Sequence, residues 1–562
     1  MQESFNRRLV FVGAILILLG GLVSFRLISI QFGINTAYFA ETALTEYRYQ
    51  VTVQPPRGEL YDRGGVLLAT NTVEYEIGMS PALIYDREGT AQKLAQITGK
   101  PYEELLADIN SQLPYILIER PAPSAMGQAL LAENLDGVAI TPIMRRFYPH
   151  GSLASQALGF VSYEGIGYYG VEGYYDKILA GKAEVSDQSR IPFDFRDKST
   201  PDRGATLTLT LDSEIQYLVE TTLAQAISDT GSQGGSILVM NPRTGEIIAL
   251  ASYPSYDPNQ FTTTDPKLFE DPVVARQYEP GSTFKVMTMA IALESGVVTP
   301  DSTYNDTGQL DAGGITVYNW DRRAHGVTSM TQLLAQSLNV GASTLSLATG
   351  PIKFYAGVDA FGFGRLTGVD LAAEAQGSIR EPGSSEWHEA DLVTNAFGQG
   401  MAATPLQLAV AIAAIANDGL IMQPHIVLRR VDPDGTITNY GATTLGRAIS
   451  PETAHKLRQM MASANLSADS QALVPGYTIA GKTGTAEIPI PGGYEPDKTI
   501  ASFVGFGPVD DPQFLVLVKL DRPSSSRWGS ETAAPTFSKL VQRLVIYLGI
   551  PPDAIRLQAN GG

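Results

Sequence analysis

Three short segments hold the residues best suited to chemistry. The first is Tyr278-Glu-Pro-Gly-Ser282-Thr-Phe-Lys285. Pro280 and Gly281 end whatever precedes, and Phe284, Val286, Met287, Ile291 and Leu293 follow with helical apolar spacing. Ser282 therefore falls at a helix start, with Lys285 one turn later on the same face. A serine hydroxyl is a weak nucleophile until a base takes its proton, and a lysine can serve if burial keeps it neutral. The free amides of a helix start favour the anion that then develops. Alone, the pair also fits a capping serine and a solvent-facing lysine.

The second segment, 329–344, is a helix-like run containing Ser337-Leu-Asn339 and then Gly341. In a turn, residues i and i+2 can both face a cleft. Ser337 can then relay a proton between Lys285 and a leaving amine, and Asn339 can hold Lys285 and a substrate amide. The third, Tyr477-Thr-Ile-Ala-Gly-Lys482-Thr483-Gly484-Thr485-Ala486, reads as a strand of small residues. Gly484 lets another backbone approach, as an extended peptide adding to a sheet edge requires. Lys482 supplies positive potential, and the Thr483 and Thr485 hydroxyls suit a terminal carboxylate. The amides of Ser282 and Thr485 suit a two-donor oxyanion hole.

The elements that must position these groups follow from pattern. The segment 205–212, ATLTLTLD, alternates as a strand and leads into a helix, SEIQYLVETTLAQAI. Gly235 to Ala251 reads as a hairpin, 501–521 as a second, and TFSKLVQRLVIYLGI as a closing helix. Strands at both ends with helices between them make one domain over 204–562. Residues 31–203 are more heterogeneous: Val51-Thr52-Val53 and Val73–Met79 are strand-like, and Thr90 to Leu113 has helical character. Segments 489–497 and 523–530 read as loops beside the cleft, and Trp528 is either substrate-facing or a loop anchor. Gly165-Ile-Gly167-Tyr-Tyr-Gly170 has dinucleotide-site spacing but lacks the strand–helix context, so its glycines are read as a turn beside Glu172.

Composition narrows the chemistry. The 562 residues contain no cysteine, which removes thiolate catalysis, disulfides and cysteine-held metal clusters. Five scattered histidines offer no metal centre, and no cofactor is expected. A net charge of −18 argues against nucleic acid as partner. That charge is uneven: Arg7, Arg8 and Arg26 against Glu3 put residues 1–30 at +2, leaving −20 for the other 532. Between Arg8 and Arg26 lies an uncharged run of 17 residues, and the uncharged LISIQFGINTAYFA can continue the helix. The reading is a cytoplasmic tail at 1–8 and a signal anchor at 9–30, with the rest of the chain outside the membrane.

Ser282-x-x-Lys285, Ser337-x-Asn339 and Lys482-Thr483-Gly484 match in order and spacing the three motifs of penicillin-binding proteins and serine β-lactamases. The chain resembles a class B penicillin-binding protein, a monofunctional peptidoglycan D,D-transpeptidase, over nearly its full length. Pro56-Arg57-Gly58, Asp62-Arg63, Arg146-Phe-Tyr-Pro149 and Gly170-Val-Glu172 resemble the pieces of that class's pedestal, and Arg57 and Glu172 are expected to pair. Phe397-Gly-Gln-Gly400 and Thr404-Pro-Leu-Gln407 also fit.

The resemblance implies a multidomain α+β protein. Its transpeptidase domain, an antiparallel sheet flanked by helices, stands on an elongated α+β pedestal with one N-terminal transmembrane helix in the bacterial cytoplasmic membrane. It also implies that Ser282 attacks the penultimate D-alanine of a nascent stem peptide, expels the terminal D-alanine and passes the acyl group to an acceptor amine. β-Lactams would acylate the same serine. A D,D-carboxypeptidase, a β-lactam hydrolase or sensor of the same fold, and a non-enzymatic wall-synthesis scaffold are the alternatives. Glu279 before the proline resembles division and sporulation members, with elongation as the other option. A SEDS-family polytopic membrane glycosyltransferase is the partner implied, since the chain before residue 200 is too short for a polymerising module and a pedestal.

Overall fold

The computed structural model describes residues 2–32, 48–53, 55–182, 184–189, 203–466 and 470–559. The chain divides into two compact units, one formed by residues 1–56 with 181–203 and the other by 57–180 with 204–562.

The smaller unit contains helix α1 (Gln2–Phe32) and a two-stranded ribbon, β1 (Arg48–Val53) against Glu184–Ser189. Val10–Ser29 of α1 is long and apolar enough to cross a membrane, and none of it is buried. The expected continuation of the helix through residues 33–40 lies outside the described residues.

The larger unit opens with β2 (Leu60–Tyr61) and β3 (Leu67–Met79). The helical character expected over 90–113 resolves into α2 (Arg87–Thr98) and α3 (Tyr102–Ile109). Gly99, at φ 74, caps the first, and Pro101 cannot continue it. Strands β4 (Ile116–Ala122) and β5 (Val138–Phe147) then pair antiparallel with β3.

Beyond position 203 come β6 (Thr206–Leu209), α4 (Ser213–Thr230), and the expected hairpin β7 (Gly234–Met240) with β8 (Ile247–Tyr253). Asp212 starts α4 by accepting from the amides of Glu214 and Ile215, and Gly231 at φ 61 ends it. Next are α5 (Lys285–Glu294), α6 (Met330–Gln336), α7 (Asn339–Thr349), α8 (Pro405–Ala416) and β9 (Val427–Val431). The chain closes with β10 (Ala480–Ile490), β11 (Gly493–Gly507), β12 (Phe514–Asp521) and α9 (Ala533–Tyr547).

The central sheet runs β8-β7-β12-β11-β10, all antiparallel. Because side chains alternate across a strand, it feeds two cores. Ile237, Val239, Val516 and Val518 meet the apolar stripes of α4 and α9 on one face. Leu238, Met240, Leu515 and Leu517 join the core of α5 and α8 on the other. Helix α8 is buried along all twelve residues, and its Thr404–Gln407 capping box satisfies the amides that such burial would strand.

A second sheet crosses the 203/204 boundary. Leu60 of β2 pairs in parallel with Leu207 of β6, and β6 pairs with β9 on its other side. Gly58 is needed here because a Cβ would lie 1.8 Å from the Ala205 carbonyl oxygen. The pieces read as a pedestal and the start of the catalytic region are thus strands of one sheet.

Beside it sits a buried ion cluster. Arg57 Nε donates to Glu172 Oε2 and Arg146 Nε to Glu172 Oε1, each at 2.6 Å, around a carboxylate with no exposure. Arg57 also reaches Asp176 Oδ1 at 2.8 Å, and Arg146 donates to the Gly58 carbonyl at 2.7 Å. The turn expected at Gly165–Gly170 packs here: the Gly165 carbonyl accepts from Arg57, and a Cβ on Gly167 would meet Glu172.

Candidate active site

Ser282 stands in a 3₁₀ turn, Gly281–Phe284, that runs into α5, so the expected helix start is one tight turn followed by the helix. Gly281 takes φ +57 and donates its amide to the Gly398 carbonyl at 3.1 Å, which bends the chain into the turn. Lys285 begins α5 and is buried. Its Nζ lies 3.0 Å from Ser282 Oγ, 2.5 Å from the Ser337 carbonyl oxygen and 3.2 Å from Ser337 Oγ. Burial, and then the neighbouring Lys482 charge, push the Lys285 ammonium well below its ordinary range.

Ser337 occupies the break between two helices rather than the middle of one. Helix α6 starts with a capping box of Ser329 and Gln332 and stops at Ser337, whose φ of 57 and ψ of 47 are left-handed. A non-glycine residue pays for that conformation, and here it turns both the carbonyl and the hydroxyl of Ser337 toward Lys285. Asn339 opens α7 on the far side of the turn. Its expected bond to Lys285 is not made: Asn339 Nδ2 donates to the Tyr318 carbonyl at 3.0 Å. The two-residue offset brings both side chains to one turn but gives them different neighbours.

The third segment lies on β10, an edge strand of the central sheet. Lys482 Nζ donates to Ser337 Oγ at 3.0 Å and to its neighbour Thr483 at the carbonyl, 3.1 Å. Burial lowers the Lys482 pKa to about 7. Residue parity explains Gly484. A Cβ there would lie 2.8 Å from Thr283 Cγ2 and 2.2 Å from Ser502 Oγ, so the glycine admits the turn that carries Ser282. Within the chain, the close approach at Gly484 is made by Thr283 and Ser502. Thr485, one residue on, takes the Gly529 amide on its Oγ1 at 3.1 Å, which leaves its hydroxyl proton to donate elsewhere.

The chain matches the penicillin binding protein transpeptidase domain over residues 235–542 and the penicillin-binding protein dimerisation domain over 52–190. It is 31% identical to stage V sporulation protein D of Bacillus subtilis, covering 97% of this chain and 86% of that protein. It is 30% identical to peptidoglycan D,D-transpeptidase FtsI of Escherichia coli K12, covering 90% and 85%. The chain belongs to the class B penicillin-binding proteins. Among solved structures it is similar to penicillin binding protein 3 of Mycobacterium tuberculosis in complex with aztreonam, with a TM-score of 0.70 and 27% identity over 89% of this chain and 98% of that one.

A class B penicillin-binding protein of the D,D-transpeptidase family thus carries its three motifs on one 3₁₀ turn, one left-handed turn and one edge strand. Sequence reading missed their supports. Glu279, three residues before Ser282, accepts from the Gly400 amide at 3.0 Å and from Tyr494 Oη at 3.2 Å, and burial raises its pKa. Residues 489–497 are therefore not a loop: β10 and β11 pair through Pro489–Tyr494 and Ile490–Gly493. The irregular 523–530 segment is tied down at Gly529, where a Cβ would lie 2.2 Å from the Gly484 carbonyl oxygen. Trp528 anchors that segment by meeting Trp320 edge to face at 5.5 Å between ring centres.

Proposed function

We propose that this penicillin-binding protein acts as a serine acyltransferase on peptidoglycan stem peptides, with Ser282 as nucleophile and Lys285 as its base. One observation carries the reading: Lys285 Nζ, buried and shifted toward the neutral amine, lies within 3.2 Å of both Ser282 Oγ and Ser337 Oγ. A neutral amine has two hydrogens and one lone pair. With its hydrogens on the Ser337 carbonyl and hydroxyl oxygens, its lone pair is left for the Ser282 proton.

The donor lies along the free edge of β10, its terminal carboxylate at the Thr483 and Thr485 hydroxyls and the Lys482 charge. Ser282 Oγ gives its proton to Lys285 and bonds to the carbonyl carbon of the penultimate D-alanine. The oxyanion accepts from the Ser282 and Thr485 amides. The carbon–nitrogen bond breaks as the leaving amine takes the proton from Lys285 through Ser337 Oγ, releasing D-alanine. An acceptor amine then attacks the ester and loses its proton by the reverse route, which restores Ser282. Asn339 completes the substrate side of the Ser337 turn.

Glu279 is the carboxylate nearest the nucleophile in sequence, and its bonds to Gly400 and Tyr494 commit it elsewhere. That favours a slowly hydrolysed acyl-enzyme over a β-lactam hydrolase. The resemblance at Glu279, and a relative named for sporulation beside one named FtsI, favour a division-type role with a SEDS-family membrane glycosyltransferase as partner. Helix α1 is then the anchor, with Arg7 and Arg8 holding the N-terminus in the cytoplasm.

Labelling with a fluorescent penicillin followed by peptide mass mapping tests the reading. One stable adduct on Ser282, absent from Ser282→Ala, is expected. Rapid release of the adduct would point to a hydrolase, and labelling that survives the substitution would overturn the assignment of Ser282.

A further inference from the structure

The turn that carries Ser337 is held from one side by three consecutive residues. Tyr318 accepts the Asn339 side chain on its carbonyl at 3.0 Å. Asn319 Oδ1 accepts the Val340 amide at 3.1 Å. Trp320 Nε1 donates to the Gln336 carbonyl at 2.9 Å. Gln336, Asn339 and Val340 bracket Ser337 on both sides, so one tripeptide grips the chain immediately before and after it.

The tripeptide is itself anchored. Asn319 is buried, and its Nδ2 donates to Asp306 Oδ1 at 2.8 Å. Asp306 is also buried, and it accepts the amides of Gly308 and His325 on Oδ1 and the Tyr304 hydroxyl on Oδ2. Asn319 uses its amide in both directions, giving to Asp306 and taking from Val340. A buried amide satisfied on both sides has little freedom to turn, because any rotation strands a polar atom.

Such a brace has a reason to exist. Ser337 holds a left-handed backbone that is unfavourable for a non-glycine residue, and such a turn relaxes unless its surroundings fix it. Relaxation would carry the Ser337 carbonyl and Oγ away from Lys285 and Lys482 together, since all three contacts leave from this one residue.

We infer that Tyr318-Asn319-Trp320 is a positioning element for the reaction, fixing Ser337 at the distance from Lys285 that proton transfer requires. The inference rests on the roles assigned to Ser282, Lys285 and Ser337 above. It does not give the tripeptide contact with the substrate. The Trp320 donor bears on the chemical step, because it holds the Gln336 carbonyl next to Ser337, while the groups assigned to the donor carboxylate sit on β10.

The test is Trp320→Phe in the full chain, which keeps a six-membered aromatic ring beside Trp528 and removes the indole donor. Acylation by a chromogenic cephalosporin is resolved by stopped flow into the dissociation constant of the first complex and the acylation rate constant. The expected result is a rate constant lowered about three- to tenfold, the worth of one hydrogen bond in a transition state, with the dissociation constant unchanged. Asn319→Ala should lower it further. Should that variant not fold, Trp320→Phe decides alone, since Trp320 is exposed.

A Trp320→Phe rate constant equal to wild type, with the adduct still on Ser282, overturns this inference and leaves the proposed function standing. An increase in the dissociation constant at unchanged rate also overturns it, since that places the tripeptide in binding. A wild-type protein that forms no adduct on Ser282 removes the function and this inference with it.

Discussion

Lys482 Nζ donates to Ser337 Oγ at 3.0 Å, joining an edge strand to a turn 145 residues earlier in the chain. Ser337 therefore stands between two buried lysines, and the charge state of each affects the other.

That arrangement fixes a pH dependence. Burial brings Lys482 to a pKa of about 7, and burial with the Lys482 charge pushes Lys285 well below its ordinary range. Below its pKa each lysine is charged. Above about pH 7 Lys482 loses the charge that would favour a carboxylate, and on the acid side Lys285 takes up the proton that would stop it acting as the proposed base. The second-order rate constant for β-lactam acylation should therefore fall as pH rises through about 7. Lys482→Arg keeps its charge at all accessible pH, so the alkaline decline should vanish in that variant even if its maximum is lower.

Gly484→Ala should disable acylation more than it unfolds the protein. Its Cβ would meet Thr283 Cγ2 at 2.8 Å and Ser502 Oγ at 2.2 Å, and the nucleophile's turn is the neighbour that must move. A displacement of about 1 Å at a reacting group costs roughly 100-fold in rate, against a stability loss of about 1–3 kcal/mol for overpacking. Penicillin labelling rates and a thermal melt on the same sample compare the two.

Glu172→Ala should do the reverse. It leaves the Arg57 and Arg146 guanidinium groups buried without their shared partner, and removing one side of such a cluster costs about 3–5 kcal/mol. A large fall in melting temperature is expected, with a near-normal acylation rate in whatever remains folded.

Asp271 makes wild-type stability fall with pH in a range where most carboxylates have already titrated. Burial raises its pKa to about 7, against bonds from Val273 and Ser252 that act the other way. An acid whose folded pKa is raised favours the folded state most below its unfolded pKa, and that advantage is lost as pH rises to the folded value. Melting temperature should drop between about pH 4 and pH 7, and Asp271→Asn should flatten that segment of the curve.

The motifs and most elements were readable because they rest on short-range pattern. The alternation of 235–251 and 501–521 and the capping Asp212 each declare a local structure, and the structure contains it. The pairing of Arg57 with Glu172 is legible through the family resemblance. Their third partner, Arg146, follows from the pairing of β3 with β5, which no local signal encodes. Asn339 and Gly484 were placed in the cleft, but their neighbours Tyr318 and Thr283 depend on how distant segments pack. The left-handed backbone of Ser337 was invisible for a related reason: nothing about a serine announces it, and tertiary bonds hold it there. Residues 489–497 looked like a loop because Pro-Gly-Gly signals a turn, and a two-residue turn between long strands carries the same signal.

The pairing of Leu60 with Leu207 bears on how the protein can be dissected. A fragment beginning at residue 204 would keep every motif residue yet strip β2 from β6, leaving a row of unpaired amides and carbonyls along a strand that is now an edge. Such a fragment would tend to self-associate through that edge. A fragment that keeps this pairing must start upstream of Leu60.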